Sequence, residues 1–290
     1  MDDQEFFKTI ISGHVKAVEK EWAAVRKGTD MEALHRMRVA LRRLKSALAD
    51  LRDVLSRREL DPALNGIKAL LSLLGYARDI DTKAGFLDAV ASFDRSKPYA
   101  KGIGEIAEEL HEDRAEVQPK IMKALDRAKR EQLFRRISKL KPLLAEGDIT
   151  LDEWARNRIT VRLEKMLRWE PYVKKPRRER ELHEMRIAAK NLRYTIENLS
   201  GLYGKKLTRY AEEAMKVQRS LGEVHNYDVW LKLLDVLRES AGRGNRFCEA
   251  LRFLRKECEQ ARTAAFGEFV ALWAELKARK LWLKLDQFSS

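Results

Sequence analysis

Cysteine, proline and glycine are scarce in this chain, and each shortage removes a class of answer. Two cysteines, Cys248 and Cys258, stand ten residues apart. That spacing suits neither a zinc knuckle nor a redox pair, which leaves two reduced thiols in a cytosolic protein. Six prolines and 14 glycines in 290 residues favour long helices over a β-sandwich or a disordered chain. No segment alternates with the two-residue period of a half-buried strand. Unbroken apolar runs of the roughly 18 residues needed for a membrane span are missing. The acidic start Met1-Asp2-Asp3-Gln4-Glu5 has no apolar stretch behind it, unlike a signal peptide.

Charge is abundant instead. Charged residues make up 36% of the chain and the formal net charge is +14. Such an excess attracts polyanions, whether nucleic acid, polyphosphate or an anionic membrane, without choosing among them. The length suffices for a sizeable core, in one large domain or two smaller ones.

One stretch occurs twice. The first copy runs from His35 to Leu48 and the second from His183 to Ile196. At about 100° per residue, Met37, Leu41, Leu44, Leu48, Leu51 and Leu55 share one helix side, as do Met185, Ala189, Leu192, Ile196 and Leu199. Each set is an apolar stripe of the width a bundle core requires. Beside it, His35, Arg38, Arg42 and Lys45 occupy i, i+3, i+7 and i+10, within an arc of roughly 80°. His183, Arg186, Lys190 and Arg193 repeat the same offsets. Like charges at these spacings cost a few tenths of a kcal/mol per pair. A single such row reads as a solvated basic face; a second row with histidine in register argues for a shared task.

The motif resembles the signature of the CHAD family, the conserved histidine α-helical domains, roughly His-x-x-Arg-Val-x-x-Arg-Arg-Leu-Arg. The first copy departs from it only at Lys45, and the second has Lys190 and Asn191 in place of the arginine pair. A smaller element of the family also recurs, as Leu74-Gly75-Tyr76-Ala77-Arg78-Asp79-Ile80-Asp81 and as Leu221-Gly222-Glu223-Val224-His225-Asn226-Tyr227-Asp228. The resemblance covers nearly the whole chain. It implies an all-α fold of two four-helix bundles related by a pseudo-twofold axis, with the histidine helices lining a central basic cleft or pore. It also implies binding of inorganic polyphosphate by His35, Arg38, Arg42, Arg43, Lys45, His183, Arg186, Lys190 and Arg193. Arg78, Arg114 and Arg262 carry less weight, since long-helix arginines are mostly solvated. Asp79 and Asp81 could orient arginines, although cap preferences favour reading them as helix caps.

Taken in order, the chain predicts a first helix, capped by Asp2 or Asp3, running to about Lys27, and a break at Gly28-Thr29-Asp30. Asp30 then caps the first basic helix. Asp61-Pro62 reads as a helix start, with shorter helices through Leu74 and on to about Phe93. A loop is expected around Ser96-Lys97-Pro98, Gly102 and Gly104. A long helix from Ile106 to Leu144 follows, kinked at Pro119. Glu146 to Thr150 is the best internal boundary. His35 and His183 lie 148 positions apart, as do Arg114 and Arg262, so the boundary falls where a duplication places it, between repeats of about 1–147 and 148–290 within one domain, 1–290. The second half predicts a helix over Leu151 to Trp169, a basic loop over Pro171 to Glu181, and helices over about 207–219, 224–239 and 246–284, with Gly242 and Gly244 as breakers. Each half then has about four main helices.

A row of this length spans about 15 Å of helix, more than one phosphate needs. Arginine offers bidentate forks to phosphate oxygens, lysine a point charge, and histidine a proton that titrates near neutrality. An extended polyanion fits best, and inorganic polyphosphate or a similar linear polymer is the expected partner, with a cytoplasmic or storage-granule location. Nucleic acid is the alternative, supported by charge. Single-strand binders interleave aromatic platforms, and the rows contain only Tyr194. Lys174-Lys175-Pro176-Arg177-Arg178 reads as a solvated linker. A helical scaffold binding another protein or a granule is a third reading.

Catalysis lacks its parts. Glu32-x-x-His35 and Glu108-x-x-His111 have di-iron spacing, yet Arg180 stands where Glu32 would recur and no carboxylate shell completes a site. A phosphohistidine route has neither nucleotide loop nor oriented base. No enzyme activity, metal or cofactor is expected.

Overall fold

A computed structural model describes residues 3–28, 30–92, 94–142, 149–239 and 245–289. Among the described residues every regular element is helical, as the absence of strand patterning requires. The chain divides into two compact units, Met1–Asp148 and Ile149–Ser290.

The first unit contains α1 (Asp3–Lys20), α2 (Trp22–Lys27), α3 (Met31–Asp50), α4 (Arg57–Ala91), α5 (Ala100–Arg130) and α6 (Leu133–Ser138). α3 packs on α1 and α4, and α4 on α5. The expected first helix is interrupted at Glu21, which turns inward to receive Arg36 at 2.9 Å. Gly28 ends α2 at φ 77°, and its N–H donates to the Ala24 carbonyl at 3.1 Å. That left-handed stop favours glycine. Asp30 caps α3 as expected: its carboxylate accepts from the Glu32 and Ala33 amides at 2.8 and 3.0 Å. Of the two residues proposed to cap α1, Asp3 is its first residue and Asp2 lies outside the described residues, as does Thr29.

Three expectations in this unit are corrected. Asp61-Pro62 does not start a helix. α4 begins at Arg57 and runs unbroken for 35 residues with Pro62 inside it, forfeiting one ladder bond. Its buried face, which includes Leu60, Ile67, Leu70, Leu74 and Leu87, outweighs that local loss, because packing of an apolar face dominates helix stability. The loop expected around Ser96 to Gly104 is a 3-10 turn (Asp94–Tyr99) followed directly by α5, which includes Gly102 and Gly104. The helix expected to reach Leu144 stops at Arg130. Gln132 takes a left-handed conformation (φ 53°) and α6 follows. Phe93 and residues 143–148, including Leu144 and most of the expected boundary, fall outside the described residues.

The second unit contains α7 (Leu151–Leu167), α8 (Glu179–Asn198), α9 (Ser200–Tyr203), α10 (Thr208–Glu239), α11 (Asn245–Ala278) and α12 (Leu281–Ser289). α8 packs on α7 and α10, and α10 on α11, the same succession of neighbours as in the first unit. Thr150 and Glu153 form a reciprocal capping box at the start of α7, satisfying two orphan donors. The basic loop is partly ordered as a 3-10 turn, Glu170–Tyr172. The two helices expected over 207–239 are one. Gly222 sits inside α10, where a glycine costs only about 1 kcal/mol. The last expected helix is divided: Lys280 (φ 51°) separates α11 from α12. Gly242 and Gly244 lie outside the described residues.

Both predicted apolar stripes are core. Met37, Leu41, Leu44 and Leu48 on α3, and Met185, Ala189 and Leu192 on α8, have no measurable exposure. Cys248 and Cys258 are free thiols, and burial pushes the Cys258 thiol up to about 12. No described helix is long and apolar enough to cross a membrane.

Candidate functional site: two half-buried cation rows

On α3 the apolar stripe turns inward and carries the row beside it to the edge of the core. His35, Arg38, Arg42 and Lys45 are all half-buried. The Arg42 Nε is buried and has no hydrogen-bond partner among the described residues. Arg38 faces Asp79 on α4 at 3.6 Å, and Arg78 faces Glu32 at 3.4 Å. Thus the family's Arg-Asp pair on α4 reaches back to α3. Arg43 is also half-buried, but one residue on from Arg42 is a turn of about 100°, so it leaves the helix away from the row. Burial holds the His35 imidazole below its ordinary range, and the Arg78 cation adds to the effect.

α8 repeats the placement with differences. His183, Arg186 and Lys190 are half-buried, whereas Arg193 is buried at 9% exposure. Arg193 lies 3.2 Å from Glu197 and over the Tyr194 ring at 4.7 Å. Its charge is neutralised locally, and it belongs to the end of the core more than to the row. His183 meets a residue that the row pattern does not contain: His225 of α10, with Nδ1 to Nδ1 at 3.2 Å and ring centroids 4.2 Å apart. Burial pushes His225 down to about 4, assisted by Arg186, and burial also lowers His183. His225 could have been found from the sequence: in the paired Leu-Gly elements it aligns with Arg78.

Each unit also contains a buried ion pair. Arg114 on α5 donates to Asp81 on α4 at 2.8 Å, and Arg262 on α11 donates to Asp228 on α10 at 2.5 Å. Arg262 also donates to the Pro176 carbonyl at 2.8 Å. The aspartate side chains are 2% and 3% exposed and their arginines 17% and 15%. These findings correct two readings. Asp79 and Asp81 are mid-helix residues and not caps, and Arg114 and Arg262 are not solvated. Burial raises the Asp228 carboxyl against the pull of Arg262. The missed signal was an aspartate at a core position of each Leu-Gly element.

The glycines of those elements are not demanded by space. A β-carbon on Gly75 would meet Arg38 Nη2 at 3.7 Å, an ordinary contact, and one on Gly222 would meet nothing within 4 Å. Among the described residues no three histidine, cysteine or carboxylate side chains converge on a metal position.

An all-helical fold with a histidine-led cation row along one helix of each unit defines a class before any comparison is made. The profile described as CHAD domain matches residues 9–235, and the chain belongs to that family. A search of curated proteins gives no match. The crystal structure of the CHAD domain from the plant Ricinus communis is similar to it, with 26% identity, a TM-score of 0.75 and coverage of 95% of this chain and 91% of the other. PptA from Streptomyces chartreusis shares the fold at 12% identity, with a TM-score of 0.73 and coverage of 93% and 99%.

Proposed function

We propose that this protein binds long-chain inorganic polyphosphate, or a linear polyanion like it, without turning it over. One observation carries the reading: the histidine and the two cations that follow it in the row recur in each unit, half-buried along a helix whose other face is core. Holding like charges together at reduced solvation is unfavourable until anions arrive. A polymer of phosphates relieves several of them at once. The gripping residues are His35, Arg38, Arg42 and Lys45, with His183, Arg186 and Lys190. Arg43 and Arg193 support from the flanks, Arg78 completes the first row from α4, and Arg114 and Arg262 carry the least weight in the set. The two units, about 1–147 and 148–290, act as repeats of one domain. A cytoplasmic protein found at polyphosphate or storage granules fits that task.

The test is competition at matched salt, with fluorescent polyphosphate displaced by unlabelled polyphosphate, single-stranded DNA or RNA at equal phosphate concentration. Polyphosphate should win. Arg38→Glu together with Arg186→Glu should abolish binding while the far-ultraviolet circular dichroism stays helical. Equal displacement by nucleic acid would favour that alternative, and unchanged affinity in the double variant would reject the rows.

A further inference from the structure

The two rows share their offsets, but not the residue that meets the histidine. In the first unit it is Arg78, a permanent cation beside His35. In the second, the aligned residue is His225, and the two rings approach nitrogen to nitrogen. At 3.2 Å one Nδ1 must donate and the other accept, since two donors or two acceptors repel. The neutral pair therefore holds one N–H between its rings. Its two Nε2 atoms are then one acceptor and one donor.

A single added proton changes this without breaking the inner bond. It enters at the free Nε2 of the ring that already donates through Nδ1. That ring becomes an imidazolium, and both Nε2 atoms are now donors. A second proton would have to take the accepting Nδ1 and break the contact. The pair is thus built to accept one proton and to change from a mixed face to one that suits an anion.

The surroundings set when this happens. Arg186, Lys190 and Lys232 disfavour the charge and Glu184 favours it. Lys232 is shared with Glu179 at 2.9 Å. On α11, Arg262 is turned to Asp228, and on α7 Arg162 and Lys165, with Arg168 at its C-cap, line a separate hollow with Glu184. Without ligand, burial and, after it, the neighbouring cations keep the pair neutral. A polyanion that neutralises those cations removes their share of the opposition.

We propose that His183 and His225 form one proton-accepting ligand of the second row, so that loading a phosphate polymer there takes up a proton, whereas Arg78 gives the first row its charge at any pH. The inference rests on the polyphosphate reading and adds His225 and a proton to it. It predicts that affinity rises as pH falls through the slightly acidic range, about tenfold in Kd per pH unit where one proton is taken up.

The experiment is isothermal titration of the full chain with long-chain polyphosphate in two buffers of different ionisation heat, at about pH 5.5 and pH 8, spanning the range in which histidine titrates. Buffer-dependent heat at the lower pH should report about one proton taken up per bound site. His225→Arg, which copies the first unit, should lose that uptake and flatten the pH profile. His225→Gln serves if the arginine variant is unstable, and should lose uptake as well. His35→Gln should keep it. Salt-dependent binding without uptake, or uptake that survives in His225→Arg and His225→Gln, overturns the proton pair and leaves the polyphosphate reading standing. No binding at either pH defeats both.

Discussion

At the scale of single residues, the most consequential groups are charges placed where a core residue would ordinarily stand. Asp81 and Asp228 are nearly inaccessible, and each is compensated by an arginine from a neighbouring helix. Taking away one partner of a buried pair strands the other charge, typically at about 3 kcal/mol or more. Arg114→Met should lower unfolding stability by about 3 kcal/mol in urea titrations. Asp81→Leu combined with Arg114→Met should recover most of the loss, because the stranded carboxylate is then gone. Histidine gives a second prediction. His225 is held down at about 4 in the folded state, below the roughly 6.5 of an unfolded chain. A depressed histidine contributes stability above its unfolded value, and that contribution is lost as pH falls toward its folded value. Ligand-free protein should therefore lose thermal stability between about pH 6.5 and pH 4, and His225→Gln should lose less over the same interval in melting curves.

At the scale of elements, helix limits followed packing more than punctuation. Pro62, Gly102, Gly104 and Gly222 all lie within helices, although Pro62 reads locally as a helix start and the glycines as breaks. Long buried faces on α4 and α10 supply enough apolar contact to carry the chain through them. The stops were set elsewhere, by the left-handed residues Gln132 and Lys280, neither of which a sequence marks as special. Gly222 therefore has no steric duty that the structure reveals. Gly222→Ala should raise stability by about 0.5–1 kcal/mol, the helix-interior preference of alanine, measured as a shift of the urea midpoint. A decrease would mean that the glycine serves an approach absent from the ligand-free state. The cap at Asp30, by contrast, was legible. Asp30 does what an N-cap aspartate does, because that interaction is confined to a few consecutive residues.

At the scale of the whole molecule, a net charge of +14 makes ligand binding and stability one problem. Polyphosphate at about 100 times its Kd should add about 2.7 kcal/mol to unfolding stability, read as a rise in melting temperature. The gain should shrink as salt increases, more steeply for longer polymers, because binding releases counterions. A stabilisation insensitive to salt would mean that the charge rows are not the site. What the chain determined by itself is whatever repeats at helical spacing: an all-helical fold, the two apolar stripes, the two cation rows beside them and the cap at Asp30. Periodicity carries these because neighbours on one helix face are fixed by local geometry. Tertiary structure alone decided the rest. It turned Arg114 and Arg262 to their aspartates and brought His225 to His183. Each joins residues whose meeting depends on how side chains fill shared space, and a spacing pattern does not encode that.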